Sequence, residues 1–99
     1  MEVNSYNTTD NLLVSEAQKG NPKAFASLMQ KYQKPVYHVI LKIVKDKKVA
    51  EDLMIESFAK AFDNMQQYSS QFSYSTWLFK IASNTSIDFL RKQRMEALV

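Results

Sequence analysis

Apolar residues spaced three and four positions apart run from Phe25 to Ile43 and limit what this chain can form. The spacing continues across Pro35 unchanged. It places these side chains on one side of an α-helix, where they can pack as a single buried stripe. We therefore predict one long helix with a kink at Pro35, or two helices in near-continuation. The stripe consists of Phe25, Leu28, Met29, Tyr32, Val36, Val39, Ile40 and Ile43.

The scarcity of turn residues extends this prediction to the whole chain. One glycine and two prolines among 99 residues leave little material for hairpins, whereas strong helix formers are abundant. A chain of this length buries only about two-thirds of its unfolded surface, so its helices must share one core. We expect an all-α fold, a compact bundle of about four helices without a sheet.

Capping residues mark the first two helices. Residues 1–8 are polar and lack a period, so we predict a flexible tail. Thr9 or Asp10 is expected to cap a first helix that ends at Gly20. Asn21–Pro22 predicts the start of the long second helix, because proline is well tolerated at the first helical position.

The second half of the chain has similar signals. Asp46 is a suitable N-cap for a third helix running to about Met65. The polar segment 66–73 lacks apolar periodicity and is predicted to be a loop. Ser73 or Ser75 is expected to cap a fourth helix that continues to about residue 93.

Several classes of function lack the residues they need. The chain has no cysteine and one histidine, His38, so thiolate and histidine metal sites are not expected. No nucleophile with a partner base is recognisable, so we predict no catalytic residue, metal or cofactor. No apolar segment approaches the roughly 20 residues of a membrane span. We expect a soluble cytoplasmic protein that does not contact a membrane.

The third helix carries a stripe that its core does not require. Opposite the predicted buried face lie Asp52, Ile55, Glu56, Ala59 and Asp63. Between residues 51 and 63 four carboxylates stand against one lysine, a local net charge of −3. The stripe is either an ordinary solvated face with one apolar residue, or a contact for a basic protein surface.

The fourth helix is basic on the side away from its predicted core. Between residues 80 and 94 four cations stand against Asp88, a local net charge of +3. This pattern indicates a nucleic-acid contact, although cations also favour the C-terminal ends of helices. In the preceding loop, aromatic side chains could stack on an unpaired base, while glutamine amides could read its edge. Trp77 itself is predicted to be mainly a core residue.

Three linked strings resemble region 2 of the extracytoplasmic-function sigma factors, which direct bacterial RNA polymerase to promoters. The strings are 20–25 with Leu28 and Tyr32, 50–58, and 74–84 with Asp88, Arg91 and Lys92. The resemblance covers about residues 10–94 and implies a helical sigma region 2 domain over 9–94. Residues 95–99 would begin the linker toward the family's second DNA-binding domain, which nothing in this sequence resembles.

The resemblance also implies partners and roles. The family's central segment binds the basic β′ clamp helices of core polymerase, which implies polymerase binding by Asp52, Ile55, Glu56, Ala59 and Asp63. Its closing segment captures a flipped base of the minus-ten promoter element, mainly from the melted non-template strand. This implies DNA binding by Gln66, Tyr68, Ser70, Gln71, Phe72, Lys80, Asn84, Ile87, Arg91, Lys92 and Arg94. An anti-sigma protein is a further implied partner.

Two positions depart from the family pattern, and two other functions remain open. The family usually has glutamine at position 55 and often a basic residue at position 83, where this chain has Ile55 and Ser83. One alternative is a helix-turn-helix regulator that binds duplex DNA, although no short helix-turn-helix with a central glycine is evident. The other alternative is a helical adaptor that binds only protein.

Overall fold

The computed structural model describes residues 5–98 and the side chains of residues 10–98. Its elements are helices α1, α2, α3 and α4 and one short 3₁₀ helix, with no strand in this range. The all-α bundle of four helices predicted from the sequence is confirmed. The bounds are α1 Ser5–Gln18, α2 Pro22–Val44, α3 Lys47–Asp63, the 3₁₀ helix Met65–Gln67 and α4 Tyr74–Ala97.

Helix α1 begins earlier than predicted. It starts at Ser5, so the expected tail is helical from that residue on, and residues 1–4 lie outside the described part. The expectation that Thr9 or Asp10 caps the helix is wrong, because both residues lie inside it. Asp10 is buried, and its carboxylate accepts hydrogen bonds from the Lys31 ammonium and the Tyr32 hydroxyl. A tertiary contact thus uses the side chain that residue type assigned to a cap.

Gly20 ends α1 in the manner that the sequence indicates. Its φ of 96° is the left-handed conformation that favours glycine. The Gly20 amide donates to the Ala17 carbonyl at 3.0 Å, and the Asn21 amide donates to the Glu16 carbonyl at 3.1 Å. These two bonds form a Schellman motif, which satisfies carbonyls that the helix end would otherwise leave open.

Helix α2 is one uninterrupted helix from Pro22 to Val44. The Asn21 side chain caps it by accepting from the Lys23 amide at 3.0 Å, as predicted. Pro35 lies within the helix, so the chain forms one helix here and not two. Met29, predicted to be part of the buried stripe, is 41% exposed. It lies at the border of the stripe, where the α2 surface opens toward α3.

The core forms around α2, which contacts each of the other three α-helices. Leu28, Tyr32, Val36 and Ile40 are almost completely inaccessible to solvent. Leu78 is similarly buried on α4. Trp77, Ile81 and Phe89, predicted as core residues of α4, are only partly buried but pack against the core.

The later helix boundaries mostly follow the capping signals. Asp46 caps α3 by accepting from the Val49 amide at 3.0 Å. Helix α3 ends at Asp63, before the predicted Met65, and the 3₁₀ helix occupies the start of the predicted loop. Ser73 caps α4 through the Thr76 amide at 3.2 Å, so Ser75 is not the cap. Helix α4 reaches Ala97 and includes residues predicted as linker.

No helix between residues 5 and 98 is long and apolar enough to cross a membrane.

Candidate functional site

One candidate surface is the side of α3 that faces away from the core. We call Asp52, Ile55, Glu56, Ala59 and Asp63 the α3 face, and all of them are exposed, as predicted. Ile55 is apolar but leaves 66% of its surface in solvent. The core side chains Leu53, Phe58 and Ala61 of the same helix are buried, which holds the α3 face outward.

An apolar groove between α2 and α3 adjoins this face. It encloses about 510 Å³ and is lined by Phe25, Met29, Gln33, Met54, Ile55, Phe58, Ala59, Phe62 and Asp63. Phe62 is 56% exposed, and its ring meets the Phe25 ring edge-on with 5.0 Å between centroids. Phe62 is not among the predicted binding residues, although Ile55, Ala59 and Phe62 have the spacing of one helical stripe.

The acids of the α3 face differ in their surroundings. Glu56 pairs with Lys60 at 3.2 Å across one helical turn, and both side chains are largely solvated. The Lys60 ammonium also donates to the Thr85 hydroxyl of α4 at 3.2 Å. Within residues 10–98, Asp52 and Asp63 have no cation within ion-pair distance. Their charge is therefore available to a basic partner.

The basic side of α4 is a second exposed surface. We call Lys80, Asn84, Ile87, Arg91, Lys92 and Arg94 the α4 face, and all of them are exposed, as predicted. Arg91 lies 3.9 Å from Asp88, an exposed and weak contact. Glu56 of α3 and Lys92 of α4 border one small cleft of about 100 Å³. One residue of the predicted polymerase-binding set and one residue of the predicted DNA-binding set therefore lie at the same cleft.

The segment before α4 is held by α1. The Gln18 amide donates to the Met65 carbonyl at 2.9 Å and to the Tyr68 carbonyl at 3.2 Å. The Gln66 amide donates in turn to the Gln18 carbonyl. Because this bond engages the Gln66 nitrogen, Gln66 helps tether the loop, and that nitrogen is less suited to reading a base. No local pattern predicts this role for Gln18, because its partners lie far along the chain.

Aromatic side chains support the loop from beneath. The Tyr68 ring lies 5.8 Å from the Tyr74 ring and 5.3 Å from the Trp77 ring, measured between centroids. The Tyr68 hydroxyl donates to the Phe72 carbonyl. Phe72 itself is 64% exposed. Tyr68 thus acts mainly as scaffold, whereas Phe72 offers an open aromatic surface.

A polar pocket of about 290 Å³ lies between this loop and α1. We call it the loop pocket, and its lining is Asp10, Asn11, Tyr68, Ser70, Gln71, Phe72, Ser73 and Tyr74. It joins four of the predicted DNA-binding residues to two residues of α1. Asp10 and Asn11 are not among the predicted DNA-binding residues, because no local pattern links them to Ser70.

Two groups of the loop pocket have unusual surroundings. The Asp10 side chain is 4% exposed, and its charge is compensated by Lys31. The Tyr74 hydroxyl is buried and has no hydrogen-bond partner in the described part of the chain. Burial raises the pKa of Tyr74, and the nearby Asp10 carboxylate and Tyr68 raise it further. Tyr74 therefore keeps its proton over the whole neutral pH range.

We expect Tyr74 to make folding sensitive to alkaline pH. An unfolded tyrosine loses its proton near its ordinary pKa of 10.0, whereas the folded protein retains it. This contribution is intact below pH 10 and is lost as the pH rises toward the folded pKa, at about 1.4 kcal/mol per pH unit. Tyr74→Phe should reduce that slope and leave stability at pH 7 within about 1 kcal/mol of wild type. Urea denaturation followed by circular dichroism between pH 8 and 11 measures both quantities, and equal alkaline slopes would contradict the assignment.

No metal centre is evident in the region described. Among residues 10–98, no three His, Cys, Asp or Glu side chains are grouped closely enough to hold an ion.

Comparison with known proteins gives consistent results. A family model described as sigma-70 region 2 matches residues 28–96. The ECF RNA polymerase sigma factor SigW of Bacillus subtilis (strain 168) is 31% identical over 81 residues, which is 82% of this chain and 43% of that protein. The chain thus spans less than half the length of this curated relative.

Two solved structures are also similar. An engineered region 2 of sigmaE, solved by NMR in complex with GTAAAA, has a TM-score of 0.82 and 33% identity, covering 88% of this chain and 90% of that one. CnrH, solved in complex with the cytosolic domain of CnrY, has a TM-score of 0.76 and 22% identity, covering 89% of this chain and 59% of that one. The second likeness concerns the fold alone.

Proposed function

Because the chain belongs to the sigma-70 region 2 family, we propose that it docks on core RNA polymerase and captures an unpaired base of a promoter minus-ten element. It would act in transcription initiation as a binding module without catalysis. Its α3 face would contact the β′ subunit, while its loop and α4 face would contact the melted non-template strand. Both faces are exposed on different helices, so polymerase and DNA could be bound at the same time.

The observation that carries the polymerase contact is the joining of acidic and apolar surface on one side of the molecule. The α3 face supplies Asp52 and Asp63, which have no cationic partner within residues 10–98, and the groove supplies Phe62 and Ile55. An apolar centre with a charged rim is typical of protein interfaces. The acids suit a basic partner, such as the β′ clamp helices that the resemblance implies. They would also repel phosphate, which argues against DNA binding on this side.

The DNA contact is proposed for the loop and the α4 face. Phe72 is exposed beside the loop pocket and could stack on a base, while Lys80, Asn84 and Arg91 could follow the strand. The similar engineered region 2 of sigmaE forms a complex with GTAAAA, which supports a single-strand contact. With about three or four phosphate contacts and a salt slope of about −0.7 per contact, binding should be weak and sensitive to salt.

The proposed capture of a flipped base would depend on polymerase. Removing a base from the stack costs a few kcal/mol, which pocket contacts alone offset only in part. Polymerase would hold the strand near the loop and reduce the cost of association. The chain alone should therefore bind promoter DNA poorly.

We also propose where the protein works and what regulates it. It would work in the bacterial cytoplasm, at the nucleoid, as a non-enzymatic initiation factor. An anti-sigma protein would hold it inactive by covering the α3 face and the groove, since that surface is also the proposed polymerase contact. Competition between such a protein and polymerase follows if both occupy this surface.

Crosslinking to a fork-junction promoter tests the proposed function. The chain is mixed with a library of partly melted promoters, with and without core polymerase. We expect core polymerase to retain the chain and crosslinks to form through the loop only when polymerase is present. Tight, sequence-specific binding of intact duplex by the chain alone would instead support a helix-turn-helix regulator. Retention by polymerase without any DNA crosslink would support a protein-binding adaptor.

A further inference from the structure

We propose that Asp10 of α1 selects the base captured in the loop pocket, favouring adenine and cytosine over thymine and guanine. This inference rests on the proposed capture of an unpaired base and adds the residue that discriminates among bases. Asp10 lies outside both the loop and α4, the elements to which the sequence assigns DNA binding. The structure nevertheless places it in the wall of the pocket that the loop forms.

The Asp10 carboxylate is buried but still able to accept a further hydrogen bond. One oxygen accepts from the Lys31 ammonium and the other from the Tyr32 hydroxyl. A carboxylate has about four acceptor positions, so each oxygen keeps capacity after these contacts. Lys31 and Tyr32 lie on α2 and hold the carboxylate in place. A held acceptor discriminates among ligands better than a mobile one, because its geometry is determined before binding.

The Tyr74 hydroxyl supplies the complementary group. Tyr74 is 2% exposed and lines the same pocket, and its hydroxyl lacks a partner within residues 10–98. A buried hydroxyl without a partner is unfavourable unless a ligand satisfies it. The hydroxyl remains protonated at neutral pH and can donate. The pocket wall therefore contains an acceptor at Asp10 and, at Tyr74, a donor whose hydroxyl is buried in the free chain.

This pair matches one pattern on the Watson–Crick edges of the bases. Adenine and cytosine each carry an amino donor next to an unprotonated ring nitrogen, so the amino group would donate to Asp10 and the nitrogen would accept from Tyr74. Thymine and guanine carry a carbonyl next to a ring N–H, which reverses both partners. A carbonyl oxygen facing the carboxylate would be repelled, and a buried polar group left unpaired is the strongest source of discrimination.

The shape of the pocket supports a single flat ligand. Its volume of about 290 Å³ lies at the small end for ligand pockets. The exposed Phe72 ring lies in its wall and offers a stacking surface. Serine and glutamine side chains of the loop complete a lining that is mainly polar. Such a lining is better suited to a base than to an apolar side chain.

A test removes one amino group from the ligand. The probes are short fluorescent oligothymidylates with a central 2′-deoxyadenosine or 2′-deoxynebularine, which has the same ring without the amino group. A third probe has a central 2′-deoxycytidine, and a fourth contains only thymidine. Fluorescence anisotropy at low salt with the full chain should give roughly tenfold tighter binding of the adenine probe than of the nebularine probe. The cytosine probe should exceed the thymidine probe by a similar factor.

Variants assign the preference to Asp10. Asp10→Asn should reduce the adenine preference to within about twofold, while binding of the thymidine probe is retained. Asp46→Asn is the matched control, since it removes the same charge at an exposed N-cap that asparagine also satisfies. Tyr74→Phe removes a hydroxyl that has no partner among residues 10–98, so it should fold normally and lose part of the preference. It keeps the test valid even if Asp10→Asn does not fold.

The outcomes separate this inference from the function on which it depends. Equal binding of the adenine and nebularine probes, or an unchanged preference in both pocket variants, would overturn the role of Asp10 and leave base capture standing. Failure to bind any of the probes, with and without core polymerase, would overturn base capture itself and this inference with it.

Discussion

Replacing both Asp52 and Glu56 by lysine is expected to weaken binding of core RNA polymerase by about two orders of magnitude. Both carboxylates are exposed on the α3 face. The double variant changes the charge of the α3 face from −3 to +1, so a basic partner would meet like charge. Replacing Glu56 would also remove the ion-pair partner of Lys60. Surface plasmon resonance with immobilised core polymerase measures the change, which should become smaller as salt is raised.

A matched control separates a local effect from one of net charge. Glu16→Lys combined with Glu96→Lys adds the same charge at exposed positions of α1 and α4 that do not belong to the α3 face. We expect this control to bind polymerase within about threefold of wild type. Equal losses in the two variants would mean that total charge governs the interaction. Wild-type affinity in the Asp52/Glu56 variant would rule out the α3 face as the contact.

Phe62→Ala is expected to weaken polymerase binding about thirtyfold, because an exposed aromatic in an apolar groove is a typical interface hot spot. Phe62 is 56% exposed in the free protein, so its removal should cost the fold little. Loss of the edge-on contact with Phe25 adds about 1 kcal/mol to that cost. Affinity measured beside thermal unfolding distinguishes loss of an interface residue from loss of structure.

Phe72→Ala provides a matched comparison, since it truncates a similarly exposed phenylalanine outside the groove. It should leave polymerase binding unchanged and weaken crosslinking to the fork junction several-fold through loss of stacking. Phe62→Ala should weaken polymerase binding. At saturating polymerase it should leave crosslinking to the fork junction unchanged. If both variants lose polymerase binding alike, the groove has no special part in docking.

Much of this protein could be predicted from local sequence patterns. The stripe along α2 and the caps at Asn21, Asp46 and Ser73 agree with the structure. Such signals work because a cap and a helical repeat depend on residues only a few positions apart. The α3 face and the α4 face were predicted for the same reason. Once the buried side of a helix is known, its opposite side is known as well.

The composition of the pockets required the tertiary structure. Asp10 fits an N-cap by residue type, yet its partners Lys31 and Tyr32 lie 21 and 22 positions away. Gln18 holds carbonyls 47 and 50 positions away. No short-range rule connects residues so distant in the chain. The loop pocket was therefore seen from the sequence only as a polar loop, without the α1 residues in its wall.

Periodicity and capping are local, so they predict the helices of this chain and the chemical character of their exposed faces. Contacts between residues of different helices follow from the tertiary fold. It joined Phe62 to the α3 face, brought Glu56 beside Lys92, and buried Asp10 behind the loop. The physical reason is that packing around α2 sets the distances between helices, and those distances depend on the whole core.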